Sequence, residues 1–455
     1  MVVGVPSSKV VASNNVQSYV VTFKDGTSVD AMNTVLQQYG LQSQTVLDDA
    51  SITVVKTTDD SAVSQLRLDT QVDSVVVEGG FSLDSFDTFH VPTPLVVTDP
   101  IYTTYQWGIR ALYSDQAWNL GYKSSHRTVV GIIDTGVARN HSDLGPNIVY
   151  EKCFTSFQTT CNPYPQIPSS MSGNHGTLMA GVLGAVINDT GAVGVAPEVG
   201  IANYNVSEYG SEGTPTVYDS SMWAAISDAA KQHFDAVSLS EGEVLSLPLS
   251  ADDQAKVDSW QRVIDKATKK GVVVVASAGN YGLNLDDPSI MVIPCELKNV
   301  MCVGATNIRP QPVFPQTGAV QAATFYTDYG TSVDFTTPGG DCGGPDFATC
   351  LTAPDPRYFI WSTNVVINAT CGLTENCPVS YSASIGTSFS APEAAGVAAL
   401  VMDAYKQTHH HDLKPKDVLK ILVKTADPLP ATPNLGAGSL NAKEAVKEAI
   451  KHHEH

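Results

Sequence analysis

The chain has 455 residues, 43% hydrophobic and 16% charged, a composition that buries a large core and excludes disorder as the main state. Its 26 Lys and Arg against 46 Asp and Glu leave a formal charge of −20, the wrong sign for a general nucleic-acid binder. No apolar run approaches the ~18 residues of a membrane-spanning helix, and at roughly 100–200 residues per domain the length predicts two or three domains.

The first segment reads as a small α+β module. Ser18–Phe23 is strand-like, rich in β-branched and aromatic residues. Ser28–Tyr39 has helical spacing, with Ala31, Met32, Val35 and Leu36 on one side. Ser51–Lys56 alternates as a strand, Ser61–Leu68 is a short helix, and Val72–Val77 is a further strand. From Gly79 to Pro100 the pattern dissolves into Gly, Pro, Asp and Ser, which marks a linker.

From Trp107 the rhythm becomes strand, helix, strand. Strands are expected at Val129–Asp134, Ile201–Val206, Ala236–Ser240 and Val272–Ser277. Helices are expected at His175–Ile187, Ser220–Phe234, Asp252–Lys270, Lys414–Thr425 and Asn441–Lys451, with a long apolar one at Ser388–Tyr405. Continuous apolar strands between amphipathic helices imply a parallel sheet covered on both faces. Gly339–Val379, rich in Gly, Pro and Cys, reads as surface loops.

The eight cysteines fall into close neighbours: Cys153/Cys161, Cys295/Cys302, Cys342/Cys350 and Cys371/Cys377. Four short-range disulfides are the simplest pairing. Buried free thiols are the alternative, and zinc ligation is disfavoured because no CxxC pair occurs. Sequons at Asn140, Asn188, Asn205 and Asn368 suit a secreted glycoprotein. The start, Met-Val-Val-Gly-Val-Pro-Ser-Ser, has neither the basic start nor the apolar run of a signal peptide, so the expectation is a secreted protein whose leader has been trimmed.

Three segments carry chemistry. Asp134 ends a strand in GIIDTGVARNHSD, His175 opens a helix in NHGTLMAG, and Ser388 starts one in GTSFSAP. Sites in open α/β sheets gather at the carboxyl ends of strands. Serine needs a base to become a nucleophile, and histidine needs an orienting acid. Singly, each residue has a plainer reading: a turn aspartate, a structural histidine, an N-cap serine. Together, with these flanking residues, they resemble the subtilisin-like serine peptidases with their inhibitory prodomain attached. The handed-down order Asp, His, Ser is that of subtilisin. The likeness runs from about Ser18 to the C-terminus, and departs in HGTLMAG and FSAPEAAG, where no triad position is lost.

The resemblance implies a parallel sheet flanked by helices, preceded by a ferredoxin-like prodomain at 1–86. A linker or arm at 87–106 and a catalytic domain at 107–455 would follow. It implies an endopeptidase in which Ser388 attacks, His175 moves the proton, Asp134 orients the imidazole and Asn280 helps bind the oxyanion. Ser240, Glu241, Gly242 and Glu243 stand where the family's substrate-binding strand usually reads SLGG, and the two glutamates leave an apolar or a basic pocket preference open. A structural Ca2+ would be held by Asp143, the Asn188 side chain and the carbonyls of Val186, Thr190 and Ala192; a plain turn is the alternative. The expected partners are a protein or peptide substrate and the chain's own prodomain, in a monomer, with no nucleic acid and no membrane. Self-cleavage is expected after Phe86. A catalytically silent binding protein of the same fold is the alternative function. A nucleotide-binding protein is disfavoured, since no GxGxxG or GxxxxGK[ST] follows a strand.

Overall fold

The computed structural model describes residues 16–82, 101–155, 161–165, 174–209, 215–308, 321–352, 354–367, 371, 375–430 and 433–452. The N-terminal module runs β1 (Gln17–Phe23), α1 (Val29–Gln38), β2 (Ser43–Leu47), β3 (Ile52–Thr57), α2 (Asp60–Leu66) and β4 (Val72–Val77). Its antiparallel sheet has the order β2-β3-β1-β4. Ser28 caps α1 by accepting from Ala31 N, and Asp59 caps α2 by accepting from Ser61 N and Ala62 N. β2 is half-exposed at the sheet edge and lacks an apolar alternation, which is why sequence patterning passes over it.

The near-continuous apolar run of β1 has a physical reason: both of its faces are buried. Val21 and Phe23 pack with Met32, Leu36 and Leu66 of the module's own helices. Val20, with Val54 and Val76, packs instead into a cluster containing Trp223 and Trp260 of the main body. The module is therefore a layer of the molecule, its sheet clamped between two pairs of helices.

β5 (Gly80–Ser82) follows the module. The main sheet is built from β6 (Val129–Asp134), β7 (Ile148–Cys153) and β8 (Gly200–Asn205), and after β9 (Ser207–Tyr209) and β10 (Pro215–Tyr218) it continues with β11 (Ala236–Leu239). β12 (Glu243–Ser246) lies between that strand and β13 (Val273–Ser277), and β14 (Ile290–Ile293) precedes β15 (Val300–Ile308), β16 (Gln321–Ala323) and β17 (Phe335–Pro338). The order is β16-β15-β13-β11-β6-β8-β7, with β17 also beside β15, and every pair but β15–β16 is parallel. Helices α3 (His175–Gly184), α6 (Thr387–His409), α7 (Pro415–Thr425) and α8 (Ala442–Lys451) cover one face, and α4 (Asp219–Lys231) and α5 (Ala251–Lys269) the other. Alternation along the strands divides the core between them: Ile132 and Val275 join the first cluster, Ile133 and Val274 the second.

One expectation is corrected. Gly339–Val379 is not all surface loop: β18 (Ile360–Val365) pairs with β19 (Val379–Ser384), and Cys342, Cys350, Phe359 and Trp361 are buried. Residues at the end of the expected arm pack into the body: Ile101 is 1% exposed and the buried Gln106 bonds Val193 and Trp361 through its amide. Two of the sequon amides are engaged within the protein. Asn205 is buried and donates to Asn162 O, and Asn140 donates to Glu375 O and Cys377 O. Asn368 lies outside the described residues. All four expected cysteine pairs are joined.

Candidate active site

After β6 the chain builds β7 and β8 on one side, then crosses to lay β11, β13 and β15 on the other. The strand order reverses at β6/β11, and such a switch point opens a crevice beyond the carboxyl ends of the strands. Asp134 ends β6, Ser240 and Glu241 follow β11, and Gly279 and Asn280 follow β13. The sheet thus delivers three of the sequence motifs to one edge.

The fourth and fifth arrive on helices whose first turns are locked to that edge. α3 starts at His175, and Gly176 meets the β6 turn so closely that a Cβ on it would lie 2.5 Å from Gly136 O. Gly176 N donates to Thr135 Oγ1 at 2.9 Å, and Ala138 N donates to Thr177 Oγ1 at 3.0 Å. The residues around Asp134 and His175 therefore fasten one another. His175 Nδ1 lies 2.9 and 2.8 Å from the two carboxylate oxygens of Asp134, which is 1% exposed. Burial pushes the imidazole down, but the charge and hydrogen bond of Asp134, with Glu241 behind them, outweigh it and lift the group to about 9.

Ser388 stands in the first turn of α6. Gly386 before it has φ 146°, a conformation open essentially to glycine. Thr387 donates from its N and Oγ1 to Asn280 Oδ1 at 2.8 and 2.9 Å. That fixes the Asn280 oxygen and leaves its Nδ2 donors free of it, and among the described residues the first-turn N–H of Ser388 makes no hydrogen bond. Ser388 Oγ donates to Ser240 O at 3.4 Å, and Ser240 Oγ donates to Ser388 O at 2.9 Å. Among the described residues no hydrogen bond joins Ser388 to His175; catalytic contacts of this kind are often long before substrate arrives.

Asp328 gives no signal in the sequence, yet it holds the Asn280 loop. Its Oδ1 accepts from Tyr281 N at 3.0 Å and Leu283 N at 2.8 Å, and a Cβ on Gly279 would lie 2.2 Å from its Oδ2. Burial raises its carboxyl to about 7, against the lowering effect of those N–H donors.

The Ser240–Glu243 segment divides. Ser240, Glu241 and Gly242 leave the sheet edge without strand structure, whereas Glu243 begins β12 and pairs with Ile293 of β14. Glu243 also bonds Lys256 at 2.7 Å, so its charge is answered from within, which removes the support for a basic pocket built on it. Glu241 is 7% exposed, with Oε1 3.9 Å from His175 Nδ1.

The expected calcium loop is drawn together. Asp143 is fully buried with no Lys or Arg partner among the described residues. Its carboxylate receives Ser142 Oγ, Asn188 Nδ2, Ala192 N and Tyr381 Oη. The carbonyls of Val186, Thr190 and Ala192 accept no hydrogen bond among the described residues, although Ala192 is fully buried. Carboxylate and carbonyl oxygens are the donor type a hard cation takes, but Asp143's carboxylate already accepts four donors. Ligation by Asn188 requires its amide to turn over, since its Oδ1 now accepts from Thr190 N and Oγ1.

The Subtilase family model, Peptidase_S8, matches residues 125–446. The chain belongs to the Subtilase family of subtilisin-like serine peptidases. It is 29% identical over 305 residues to the thermophilic serine proteinase of Bacillus sp. strain AK1, covering 67% of this chain but only 59% of that protein, less than two-thirds of its length. Identity to thermitase of Thermoactinomyces vulgaris is 27% over 356 residues, covering 77% of this subtilase and 98% of the other. The solved epidermin leader peptide processing serine protease of Staphylococcus aureus overlays with a TM-score of 0.70 at 20% identity, covering 96% of this chain and 100% of that one. That last likeness is one of fold. No helix among the described residues is long and apolar enough to cross a membrane.

Proposed function

We propose that this subtilase is a secreted, self-processing serine endopeptidase that forms an acyl-enzyme on Ser388. The observation that carries the reading is the hydrogen bond of His175 to a buried Asp134 at the same sheet edge as Ser388 and Asn280. In the reaction, Ser388 Oγ attacks the peptide carbonyl while the imidazole of His175 takes its proton. Asp134 holds the ring and stabilises the imidazolium. The Asn280 amide and Ser388 N–H receive the oxyanion. His175 then protonates the leaving amine, and water releases the acyl group by the same steps. Labelling by a fluorophosphonate probe should appear in the processed protein and vanish in Ser388→Ala; labelling that persists in the variant overturns the assignment.

The N-terminal module acts in this reading as an intramolecular inhibitor. Its tail strand β5 adds antiparallel to β10, with Phe81 opposite Val217, in the manner of an extended peptide on a sheet edge. The cut expected after Phe86 lies outside the described residues. Ser388→Ala should remain full-length, because the cut is made by Ser388 itself. A Ca2+ held by Asp143, Asn188 and the Val186, Thr190 and Ala192 carbonyls would tie the loop after α3 to the Asp134 motif. EDTA should then lower the thermal midpoint, and an unchanged midpoint removes the metal from the reading. The Glu243–Lys256 pair favours an apolar over a basic primary pocket.

A further inference from the structure

The reaction just described needs one carboxylate on the imidazole, and this molecule supplies two. Glu241 leaves the end of β11 at the position where the family pattern is apolar, and its side chain turns into the site rather than out to solvent. Its Oε1 is 3.9 Å from His175 Nδ1, and single ligand-type atoms of Asp134, His175 and Glu241 all lie within 4.8 Å of one another. Among the described residues the charged groups facing the ring are Asp134 at the end of β6 and Glu241 after β11. The neighbouring Ser240 bonds Ser388 in both directions, so one short segment touches the nucleophile with one residue and the base with the next.

We propose that Glu241 is a positioning residue of the catalytic site, a second carboxylate that acts through His175 by favouring its imidazolium form and holding its Nδ1 side toward Asp134. The inference rests on the proposed triad. Charge at this distance in a partly desolvated site favours the protonated ring whenever it forms, in the transition state as well as at rest. The gain in stabilising the transition state is therefore coupled to a cost, since less of the ring is the free base near neutrality. Burial lowers the ring's proton affinity, and both carboxylates raise it, Asp134 more than Glu241. Removing Glu241 should leave a weaker base that is free at lower pH.

The test uses the self-processed enzyme with Glu241→Gln and Glu241→Leu, and Glu241→Asp as the variant that keeps the charge. In both neutral variants the acidic limb of kcat/KM against pH should move down by about one unit, and the alkaline plateau of kcat should fall several-fold. KM for an uncharged peptide should stay constant, and Glu241→Asp should restore most of the pH shift. In the Ser388→Ala background, the downfield proton NMR signal of His175 Nδ1 should titrate at lower pH once Glu241 is neutral. That measurement needs no activity, so it separates this proposal from the triad reading, which fails by absent probe labelling of the wild type. Unchanged titration in Glu241→Gln overturns the proposal. So does a KM effect confined to peptides carrying Lys or Arg, which would make Glu241 a substrate-charge receptor.

Discussion

The acids of the N-terminal module and the acids of the active site are used in opposite ways. Asp25, Asp48, Asp49 and Asp73 of the module meet Lys266, Lys231, Lys270 and Arg262 of α4, α5 and the residue just after α5, in four ion pairs with every acid on one side and every base on the other. Most of these side chains are well exposed. At the sheet edge, Asp134, Glu241 and Asp328 are buried; Asp134 faces a backbone N–H and the imidazole, and Asp328 faces backbone N–H groups. Exposed pairs are worth about 0.2–1 kcal/mol each and are screened by salt, so they suit the removable module of the proposed reading. Buried acids are neither screened nor cheaply displaced, so they suit groups whose proton affinities must differ from those in water. The apolar contacts of Val20, Val54 and Val76 with the Trp223–Trp260 cluster hold the module; the ion pairs orient it.

The largest effect should come from the buried side. Asn280→Ala should lower kcat by about 10²–10³ with little change in KM, the size of effect that losing the oxyanion-hole asparagine has in subtilisin. A drop under tenfold would mean that the Thr387-anchored amide does not face the oxyanion. Asp328→Ala is the next largest. It removes the acceptor that the part-buried N–H groups of Tyr281 and Leu283 share, and lets the Asn280 loop move. The thermal midpoint and kcat should fall together; a stable variant with full kcat would show that the loop is held elsewhere.

The pH dependence of His175 comes third. Its folded value of about 9 stands above the ordinary 6.5. The stabilisation from its contact with Asp134 is thus fully present below about 6.5 and is lost as pH rises through about 9. Free imidazole grows over the same interval, so activity should climb while stability declines. Thermal midpoints of Ser388→Ala and of Ser388→Ala with His175→Ala, measured from pH 6 to 10, should converge at the alkaline end. Parallel curves would place the titration on another group.

The smallest effect belongs to the exposed side. Inhibition of the processed enzyme by the separated module should weaken by roughly tenfold between low salt and 1 M NaCl. Asp25 and Asp48 are held below the usual carboxylate value by hydrogen bonds from Lys266 and Lys231, against the raising effect of partial burial. Their stabilisation is present above about pH 4 and is lost as pH falls through the lower folded values, so mild acid should leave the module in place. Release at pH 5, or salt-insensitive inhibition, would show that the ion pairs are not what orients it.

Much of the site was legible in the sequence because its chemistry is written at the ends of elements. Asp134, Asn280, His175 and Ser388 sit where an apolar strand stops or a helix starts, and the glycines and threonines beside them are local requirements of tight turns and close approach. The alternating clusters on the two faces of the sheet follow from strand periodicity in the same local way, as do the helix caps at Ser28 and Asp59. What the tertiary structure alone decided are contacts between residues distant in the chain. Asp328 reaches a loop 47 residues earlier, Tyr381 reaches Asp143 across 238 residues, and Glu243 is answered by Lys256 on a helix that only folding brings beside it. The nearness of Glu241 to His175 is of the same kind. A sequence names which groups are available, but whether a carboxylate faces solvent, a lysine or an imidazole depends on which strands become neighbours, and that is a property of the packed sheet.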